Sequence, residues 1–495
     1  MPPAAAARSA HTCGRSGCGG HTKAQGFIPE QHHHNQGDAV STTEVVPLRR
    51  PLDALVARLA LIDAAEVRLD LQYYLWDSDA VGYLLLDRLI AAADRGVPVR
   101  LLVDDLKLRR RTHSIASLCC HPNIEIRVFN PWRRRSSAAA QGLEFIRRFS
   151  TLDHRMHNKL LIADDRKAIF GGRNIAGEHF GLGEKFNLVD DDLLLVGPEV
   201  AGLSSAFETS WESPVSISGI ALSNPVGDED LSATRGLVAR ELQKRQPTVS
   251  TVLAEQDGWT HKAASMAVSL EADALEIVAD APSFSRGASP TQVIETLHRA
   301  INRAEQELVA ITPFFVPDEI DVDWYRTLID RGIRIRILTN SLASNMGTIS
   351  NSGLKKKRFA MVQAGVELYE LRTDASVKPD WEIPPQVARY LGLHAKLYAI
   401  DRARLFVGSV NIDPRSKRVN TEVAALIHSP ELSEHTADAI ESFMTPRNAW
   451  KVEIGPDDRL RWHSDAGTLQ RQPARNGGQR LADAVLGLLP IHPYI

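Results

Sequence analysis

His157-Asn158-Lys159-Leu160-Leu161-Ile162-Ala163-Asp164 lies in the first half of the chain, and His394-Ala395-Lys396-Leu397-Tyr398-Ala399-Ile400-Asp401 lies in the second. Both stretches have the pattern H-x-K-x4-D, and their offset is 394 − 157 = 237 residues. Chance would give one such pattern in roughly a few chains per hundred, and two matched copies are far rarer. The same offset carries Gly171 to Gly408, Gly172 to Ser409 and Asn174 to Asn411. The sequence therefore predicts a duplicated chain.

The duplication extends into the predicted secondary structure. The segment Arg95–Leu102 (RGVPVRLL) reappears as Arg331–Leu338 (RGIRIRIL), in each case between a predicted helix and a predicted strand. Strands that alternate with helices are typical of a layered α/β fold. We expect two similar α/β domains that are related by a pseudo-twofold axis, each a mixed β-sheet flanked by helices. They would share one active site at their interface.

Composition shifts suggest the boundaries of these domains. Residues 1–44 are rich in Ala, Gly, His and Gln, which predicts a disordered N-terminal tail. The first domain is expected over 45–213 and the second over 266–465, with a polar connecting segment over 214–265. Residues 466–495 form a C-terminal tail whose last part, Leu481–Ile495, is apolar. The sequence leaves open whether that part contacts a membrane or packs on the body of the protein.

The composition excludes several classes of protein. The chain has 495 residues, with 58 Lys and Arg against 61 Asp and Glu, so its net charge is −3. A broad basic surface for nucleic acid is therefore not expected. Four cysteines do not make a disulfide framework. The sequence shows neither an apolar run of the ~18 residues that a membrane span needs nor a secretory leader. We expect a cytoplasmic protein without a transmembrane helix or signal peptide.

The duplicated pattern indicates a site for a phosphodiester. His157 and Lys159 are two residues apart in a predicted strand, so both point to one face, and the same holds for His394 and Lys396. Lysine suits the non-bridging oxygens of a phosphate, and asparagine can donate hydrogen bonds to them. One histidine can attack phosphorus while the other protonates the departing oxygen. The residues alone do not decide which histidine has which role.

A nucleophilic imidazole needs an acceptor that orients its second nitrogen. Glu422, 28 residues after His394, is the candidate in the second half. Asp192 is the candidate in the first half, although the 237-residue offset leaves a surplus of seven residues before it. Asp190 is the competing choice. The sequence does not separate these two aspartates.

These motifs resemble those of the phospholipase D superfamily, most closely the bacterial cardiolipin synthases, from about Val45 to Trp462. The resemblance implies two phospholipase D-like domains and transfer through a phosphohistidine without a metal or other cofactor. The shared stretches are Leu71–Tyr74, Arg155–Lys159, Gly171–Ile175, Leu338–Ala343, Gly365–Leu371 and Gly408–Ser416.

The resemblance also implies roles for individual residues. His157 is expected to be the nucleophile, and His394 the general acid and then the general base. Lys159, Lys396, Asn174 and Asn411 would hold the phosphoryl group with help from Ser409, while Asp164 and Asp401 would support the catalytic set. The expected reaction is phosphatidyl transfer that makes cardiolipin or a related phospholipid from phosphatidylglycerol-type lipids. The alternative is a phospholipase D or other phosphodiesterase that uses water.

One segment departs from the family pattern. Asn351 and Leu354 stand where a substrate-contacting histidine and an aromatic residue are expected. This departure leaves the phosphoryl chemistry intact and leaves the acceptor and the lipid open.

A local basic stretch suggests a lipid partner. Residues 133–159 contain seven Lys or Arg against two acidic residues, and aromatic residues are interleaved among them. This pattern is typical of a surface that docks on anionic phospholipid headgroups, although a solvated basic face would look the same. We expect an anionic phospholipid substrate and a peripheral location on the inner face of a bacterial membrane, with no nucleic acid partner.

Overall fold

The computed structural model describes residues 42–106, 108, 112–133, 144, 147, 151–271, 273–282 and 291–488. The predicted disordered tail therefore lies almost entirely outside the described residues, as does most of the basic stretch 133–159. The helices are α1 (Pro51–Ala64), α2 (Ala80–Asp94), α3 (Thr112–Leu118), α4 (Val200–Trp211), α5 (Asp228–Lys244), α6 (Gln246–Ala254), α7 (Trp259–Met266), α8 (Gln292–Asn302), α9 (Glu319–Asp330), α10 (Thr348–Gln363), α11 (Pro414–Arg418), α12 (Pro430–Phe443) and α13 (Gly477–Leu488).

The strands fall into two large mixed sheets and one small sheet. Those of the first half are β1 (Thr43–Leu48), β2 (Leu69–Tyr73), β3 (Val99–Asp104), β4 (Ile124–Phe129), β5 (Lys159–Ala163), β6 (Lys167–Gly171), β7 (Phe186–Val189), β8 (Asp192–Val196), β9 (Ser216–Ser218) and β10 (Val268–Leu270). Those of the second half are β11 (Leu275–Ala279), β12 (Glu307–Ile311), β13 (Arg334–Asn340), β14 (Glu367–Leu371), β15 (Tyr390–Leu393), β16 (Leu397–Ile400), β17 (Arg404–Gly408), β18 (Val423–His428), β19 (Ala449–Ile454), β20 (Leu460–Ser464) and β21 (Gly467–Leu469).

The two large sheets repeat the same arrangement. Within the described residues, the first has the order β10-β1-β8-β6-β5-β2-β3-β4-β9, and the second has β11-β18-β17-β16-β12-β13-β14-β19-β20-β21. In the first, β2, β3 and β4 are parallel to one another, as are β12, β13 and β14 in the second. The strands β5 and β16, which begin in the two H-x-K-x4-D stretches, run antiparallel to β2 and β12. The duplication seen in the sequence is thus a duplication of sheet topology.

The hydrophobic cores explain why the central strands are apolar on both faces. One face of each sheet packs on its own helices. The other faces meet in a shared core, to which the first sheet contributes Leu160 and Phe170 and the second Leu397 and Val407. Strands that are covered on both faces read as continuous apolar runs, as Leu160–Ala163 does. The fold class is confirmed: two similar α/β units flank a common interface.

Several elements cross the boundaries that the sequence predicts, and β1 begins at Thr43, inside the predicted tail. The strand β10, which was assigned to the second domain, pairs with β1 in the first sheet. The predicted C-terminal tail is partly built into the second unit, because β21 pairs with β20 and α13 packs along α10. The predicted connecting segment contains α5, α6 and α7, and α5 packs on α2 and α3.

Among the described helices, none is both long enough and apolar enough to cross a membrane.

Candidate active site

The two catalytic stretches meet at the interface of the units, and each histidine is bound to a carboxylate from the other half. Nδ1 of His157 lies 2.8 Å from Oε2 of Glu422 and 3.0 Å from its Oε1. Nδ1 of His394 lies 2.8 Å from Oδ2 of Asp190. Both carboxylates are fully buried, and the two histidines are 7% and 9% exposed. Since Nδ1 is occupied in each ring, Nε2 is the nitrogen left for chemistry.

Backbone pairing across the interface places each histidine beside the carboxylate of the other half. The strands β7 and β15 form a small parallel sheet, and the backbone N–H of His394 continues it by donating to the carbonyl of Val189 at 2.7 Å. Likewise, the N–H of His157 donates to the carbonyl of Thr421 at 2.9 Å. Val189 and Thr421 are the residues immediately before Asp190 and Glu422. Each histidine is therefore in register with the acid of the opposite half.

Asp192 was the wrong choice for the first-half acid. Its carboxylate is bound by two buried arginines, Arg58 at 2.9 Å and Arg173 at 3.1 Å. The strand register gives the reason: Gly171 is paired with Asp192, and Gly408 is paired with Ala424. The residue two positions earlier is Asp190 in one half and Glu422 in the other, so these two acids are structural equivalents.

The glycines at this position have a steric role. A Cβ on Gly171 would lie 2.5 Å from Oδ1 of Asp192, and one on Gly408 would lie 2.3 Å from the carbonyl oxygen of Val423. Gly171 also has a φ of 154°, which side chains rarely adopt. The absence of a side chain lets β6 and β17 approach the strands that follow the two acids.

Asp164 and Asp401 do not lie with the catalytic groups. They follow β5 and β16 at the ends opposite Lys159 and Lys396, in turns where both have a positive φ. The carboxylate of Asp164 accepts hydrogen bonds from the backbone N–H groups of residues 66, 67 and 68. That of Asp401 does the same for residues 305, 306 and 307. These contacts favour a structural role for both carboxylates, because short carboxylates satisfy clusters of unpaired N–H groups.

The two lysines are buried beside the histidines. Lys159 and Lys396 are each 1% exposed, and each Nζ donates to the backbone carbonyl of the histidine two residues earlier. Nζ of Lys396 also lies 2.9 Å from Nδ1 of His394. Burial lowers the pKa of Lys159 well below its usual range and that of Lys396 to about 8. An anionic ligand would therefore raise the pKa of both amino groups and favour their protonated forms.

Burial and neighbouring cations lower the pKa of both histidines. The pKa of His157 is lowered well below its usual value by burial, and then by Lys159 and Lys396. Burial and Lys396 lower the pKa of His394 in the same way, while Asp190 opposes them. A neutral imidazole whose Nδ1–H points to a carboxylate exposes a lone pair on Nε2, which is the form that a nucleophile needs.

The two acids differ in their surroundings. Burial raises the pKa of Glu422 to about 7, although Lys159 and the hydroxyls of Ser409 and Ser416 partly offset this rise. Burial would also raise the pKa of Asp190, but His394, His179 and Lys396 together hold it well below its usual range. The pair on His394 therefore contains an ionised carboxylate, while the pair on His157 titrates near neutrality.

Ser409 supports Glu422. Its hydroxyl donates to Oε2 of Glu422 and accepts a hydrogen bond from the backbone N–H of Val423 at 3.0 Å. Ser416 donates to the other carboxylate oxygen at 2.8 Å. Asp413 positions Ser416 by capping α11 through the N–H groups of Arg415 and Ser416, both at 2.8 Å. Ser409 is thus in contact with the acid that orients His157, and its contact with the phosphate stays a prediction.

Asn174 and Asn411 are both buried at the ends of the strand-turn segments, at 2% and 3% exposure. Oδ1 of Asn174 accepts from the backbone N–H of Leu75 at 3.2 Å, which leaves its amide N–H groups for a ligand. Oδ1 of Asn411 has no hydrogen-bond partner among the described residues. A buried unpaired amide is costly, so this atom marks a place where a polar ligand or water is needed.

Two aromatic side chains at the site were missed by the sequence analysis. Tyr74 packs edge-on against His157, with ring centroids 5.0 Å apart, and its ring lies 5.5 Å from Nζ of Lys159. His179, in the 3-10 helix Gly177–Phe180, lies 2.8 Å from Oδ2 of Asp190 through Nδ1 and packs edge-on on His394, with centroids 4.6 Å apart. His179 has no counterpart in the repeated pattern, so the sequence carried no signal for it.

His179, Asp190 and His394 offer ligand atoms within 4.8 Å of one another, as a metal site would. Nζ of Lys396 lies only 2.9 Å from Nδ1 of His394, however. An ammonium group in that position would repel a cation, which disfavours a metal ion in this cluster.

Comparisons with known proteins agree with this geometry. Residues 59–211 and 297–444 match the family model described as "Cardiolipin synthase, PLD-like domain". Cardiolipin synthase C of Escherichia coli is 32% identical over 464 residues, which cover 90% of this chain and 94% of that protein. A cardiolipin synthase of Oceanobacillus iheyensis is 24% identical over 404 residues, or 80% of this chain and 68% of that protein.

The fold is also that of a known lipid enzyme. The crystal structure of phosphatidylserine synthase from Haemophilus influenzae superimposes with a TM-score of 0.59 at 13% identity, covering 91% of this chain and 95% of that one. The paired units and the two exchanged histidine–carboxylate pairs define an enzyme of the phospholipase D type.

The chain belongs to the cardiolipin synthase family of phospholipase D-like proteins. It is a phosphatidyltransferase of that type, and the resemblance inferred from the motifs is confirmed.

Proposed function

We propose that this enzyme transfers a phosphatidyl group from one phosphatidylglycerol-type lipid to the headgroup hydroxyl of another, releasing glycerol and making cardiolipin. The observation that carries this proposal is the pair of exchanged histidine–carboxylate contacts, Glu422 with His157 and Asp190 with His394. Family membership supports phosphatidyl transfer as the reaction class. The printed names of the relatives, which give cardiolipin as the product, support the choice of phosphatidylglycerol-type substrates.

In the first step, Nε2 of His157 attacks phosphorus and forms an N–P bond, while the bond from phosphorus to the headgroup glycerol oxygen breaks. His394 enters this step as the imidazolium, with Nδ1–H on Asp190 and a second proton on Nε2; it gives the Nε2 proton to that oxygen, and glycerol leaves. The ionised Asp190 stabilises the protonated imidazole that this role requires. Glu422 fixes the tautomer of His157 by accepting its Nδ1–H.

In the second step, His394 removes a proton from the hydroxyl of the second lipid, whose oxygen attacks phosphorus. The N–P bond breaks and His157 is restored. Lys159 and Lys396 supply the positive charge opposite the non-bridging oxygens, and Asn174 and Asn411 supply amide groups there. With these groups in place, the proposed reaction uses neither a metal ion nor another cofactor.

Purified enzyme with labelled phosphatidylglycerol, with and without phosphatidylethanolamine, tests the substrate and the acceptor. We expect labelled cardiolipin and free glycerol, and undiminished turnover in EDTA. Phosphatidic acid as the main product would instead show that water is the acceptor.

The phosphohistidine is tested separately. Mixed with a phosphatidyl ester that has a good leaving group, His394→Ala should accumulate an acid-labile phosphoenzyme, because loss of His394 slows the second step. His157→Ala should form none. A phosphoenzyme in His157→Ala would exchange the two roles.

A further inference from the structure

The polarity of α13 is inverted relative to an ordinary surface helix. Asp483 and Gln479 are buried, at 1% and 7% exposure, while Leu481 and Val485 are 67% and 52% exposed. Leu481 and Val485 are four residues apart, so they lie on one face of the helix. A helix that packs on its own protein normally turns its apolar stripe inward.

Specific polar contacts hold α13 in this orientation. Oδ1 of Asp483 accepts from Nδ2 of Asn351 at 2.7 Å, and its Oδ2 accepts from Gln472 at 2.7 Å and from Lys355 at 3.1 Å. Nε2 of Gln479 donates to the backbone carbonyl of Leu342 at 2.5 Å. Buried and hydrogen-bonded polar groups fix a helix in one rotation, because any other would leave them unpaired.

These contacts also account for Asn351, which departs from the family pattern. Its amide nitrogen binds Asp483 and its amide oxygen accepts from Arg358 at 3.2 Å. Leu354 is 2% exposed within the core of the second unit. Both side chains are engaged by the protein, so neither is presented to a ligand.

A short chain of contacts links the helix to the segment that carries His394. Its contact Leu342 is two residues beyond Asn340, which accepts from the N–H of Leu393 at 2.9 Å and donates to the Leu393 carbonyl at 3.0 Å. Leu393 directly precedes His394. The same loop carries Met346, which is 49% exposed. The exposed apolar residues of α13 and of this loop are thus connected through the fold to the segment that carries His394.

Cations accompany this apolar surface. Lys356 is exposed on α10, the helix that α13 packs along, and Arg471 is exposed in the segment that precedes α13. An exposed apolar face on a helix whose neighbouring elements carry exposed Lys and Arg residues complements an anionic lipid surface, whose headgroups attract cations and whose acyl region accepts apolar side chains.

We propose that α13 is a membrane-docking helix, which inserts Leu481 and Val485 into the surface of an anionic bilayer and so holds the catalytic site at the headgroups. The proposal rests on the proposed function, because it takes the bilayer that contains the substrate as the partner. It is a docking surface separate from the predicted basic stretch 133–159, most of which lies outside the described residues. In that stretch, Arg155 is buried against Asp104 at 3.2 Å and Lys159 is in the catalytic site.

Vesicle flotation of the full chain tests this role. The double variant Leu481→Gln/Val485→Gln should bind vesicles of phosphatidylglycerol and phosphatidylcholine at least about tenfold more weakly than the wild type, since two apolar contacts with the bilayer are lost. The matched control is Val67→Gln, which changes a valine that is 66% exposed at the opposite end of the strands. It should bind like the wild type. A melting temperature within the range of the control shows that the double variant is folded.

Three results would overturn the proposal. They are undiminished flotation of the double variant, equal binding to pure phosphatidylcholine vesicles, and a wild-type dimer that the double variant loses in analytical ultracentrifugation. The last result would mean that a second copy covers the apolar face.

His157→Ala separates the docking helix from the chemistry. It should float like the wild type while making no cardiolipin. If the wild type floats through α13 and turns over no lipid, the proposed function fails and the docking helix stands. If lipid is turned over and α13 has no effect on flotation, the docking helix fails alone.

Discussion

Glu422, from the second half of the chain, lies 2.8 Å from Nδ1 of His157, from the first half. Glu422→Gln should lower kcat by about a thousandfold, because an amide cannot stabilise the charge that develops on the imidazole. KM for the lipid should change little, since the lysines and asparagines remain. Steady-state kinetics on mixed vesicles checks both values. A loss confined to KM would place Glu422 in substrate binding.

Substitution of Asp190 should impair activity, whereas substitution of Asp192, two residues later, should impair stability. Asp190→Asn should abolish most activity by uncoupling His394. Asp192→Asn leaves the buried Arg58 and Arg173 without their shared carboxylate, and loss of one partner of a buried ion pair costs about 3–5 kcal/mol. Urea unfolding combined with kcat would reveal the contrast. Equal losses of stability in the two variants would contradict it.

Activity should have a bell-shaped dependence on pH. The pKa of Glu422 is raised to about 7 and that of Lys396 is lowered to about 8. Below pH about 7 Glu422 gains a proton and no longer accepts a hydrogen bond from His157, so activity falls. Above pH about 8 Lys396 loses its charge, so activity falls again. Lys396→Arg should move the alkaline limb upward, because a guanidinium stays charged. An unchanged alkaline limb in that variant would show that another group titrates there.

His179 should act as a positioning residue for Asp190. His179→Phe removes one of the two Nδ1 contacts on Oδ2 of Asp190, and we expect kcat to fall by about tenfold with KM unchanged. His179→Asn should restore most of kcat, because its amide can donate from a similar position. Rescue by phenylalanine rather than asparagine would indicate a packing role.

Asp164→Ala and Asp401→Ala should affect stability rather than catalysis. Each change leaves a cluster of backbone N–H groups without an acceptor, which should cost about 1–3 kcal/mol. Thermal unfolding measures this loss, and kcat of the folded fraction should be near the wild-type value. A large drop in kcat at low temperature would restore a catalytic role.

The repeat made much of this architecture accessible from sequence, because a strand period of two places His157 with Lys159 and a matched offset relates the halves. The error at Asp192 arose because the offset changes between the lysine and the acid, and only the pairing of Gly171 with Asp192 reveals the equivalent residue. The partner of each histidine was equally hidden, since the contacts cross the interface. His179 and the orientation of α13 depend on tertiary contacts that leave no periodic signal.

Each half of the chain contributes the acid that orients the histidine of the other half, and this explains why two identical motifs have histidines in different surroundings. The ionisation of each histidine is set by an acid that the other half contributes: an aspartate that is held ionised for His394, and a glutamate that titrates near neutrality for His157. A substitution of the acid in one repeat therefore changes the ionisation of the histidine in the other repeat. Since each pair takes its histidine from one repeat and its acid from the other, neither repeat alone contains a complete catalytic pair.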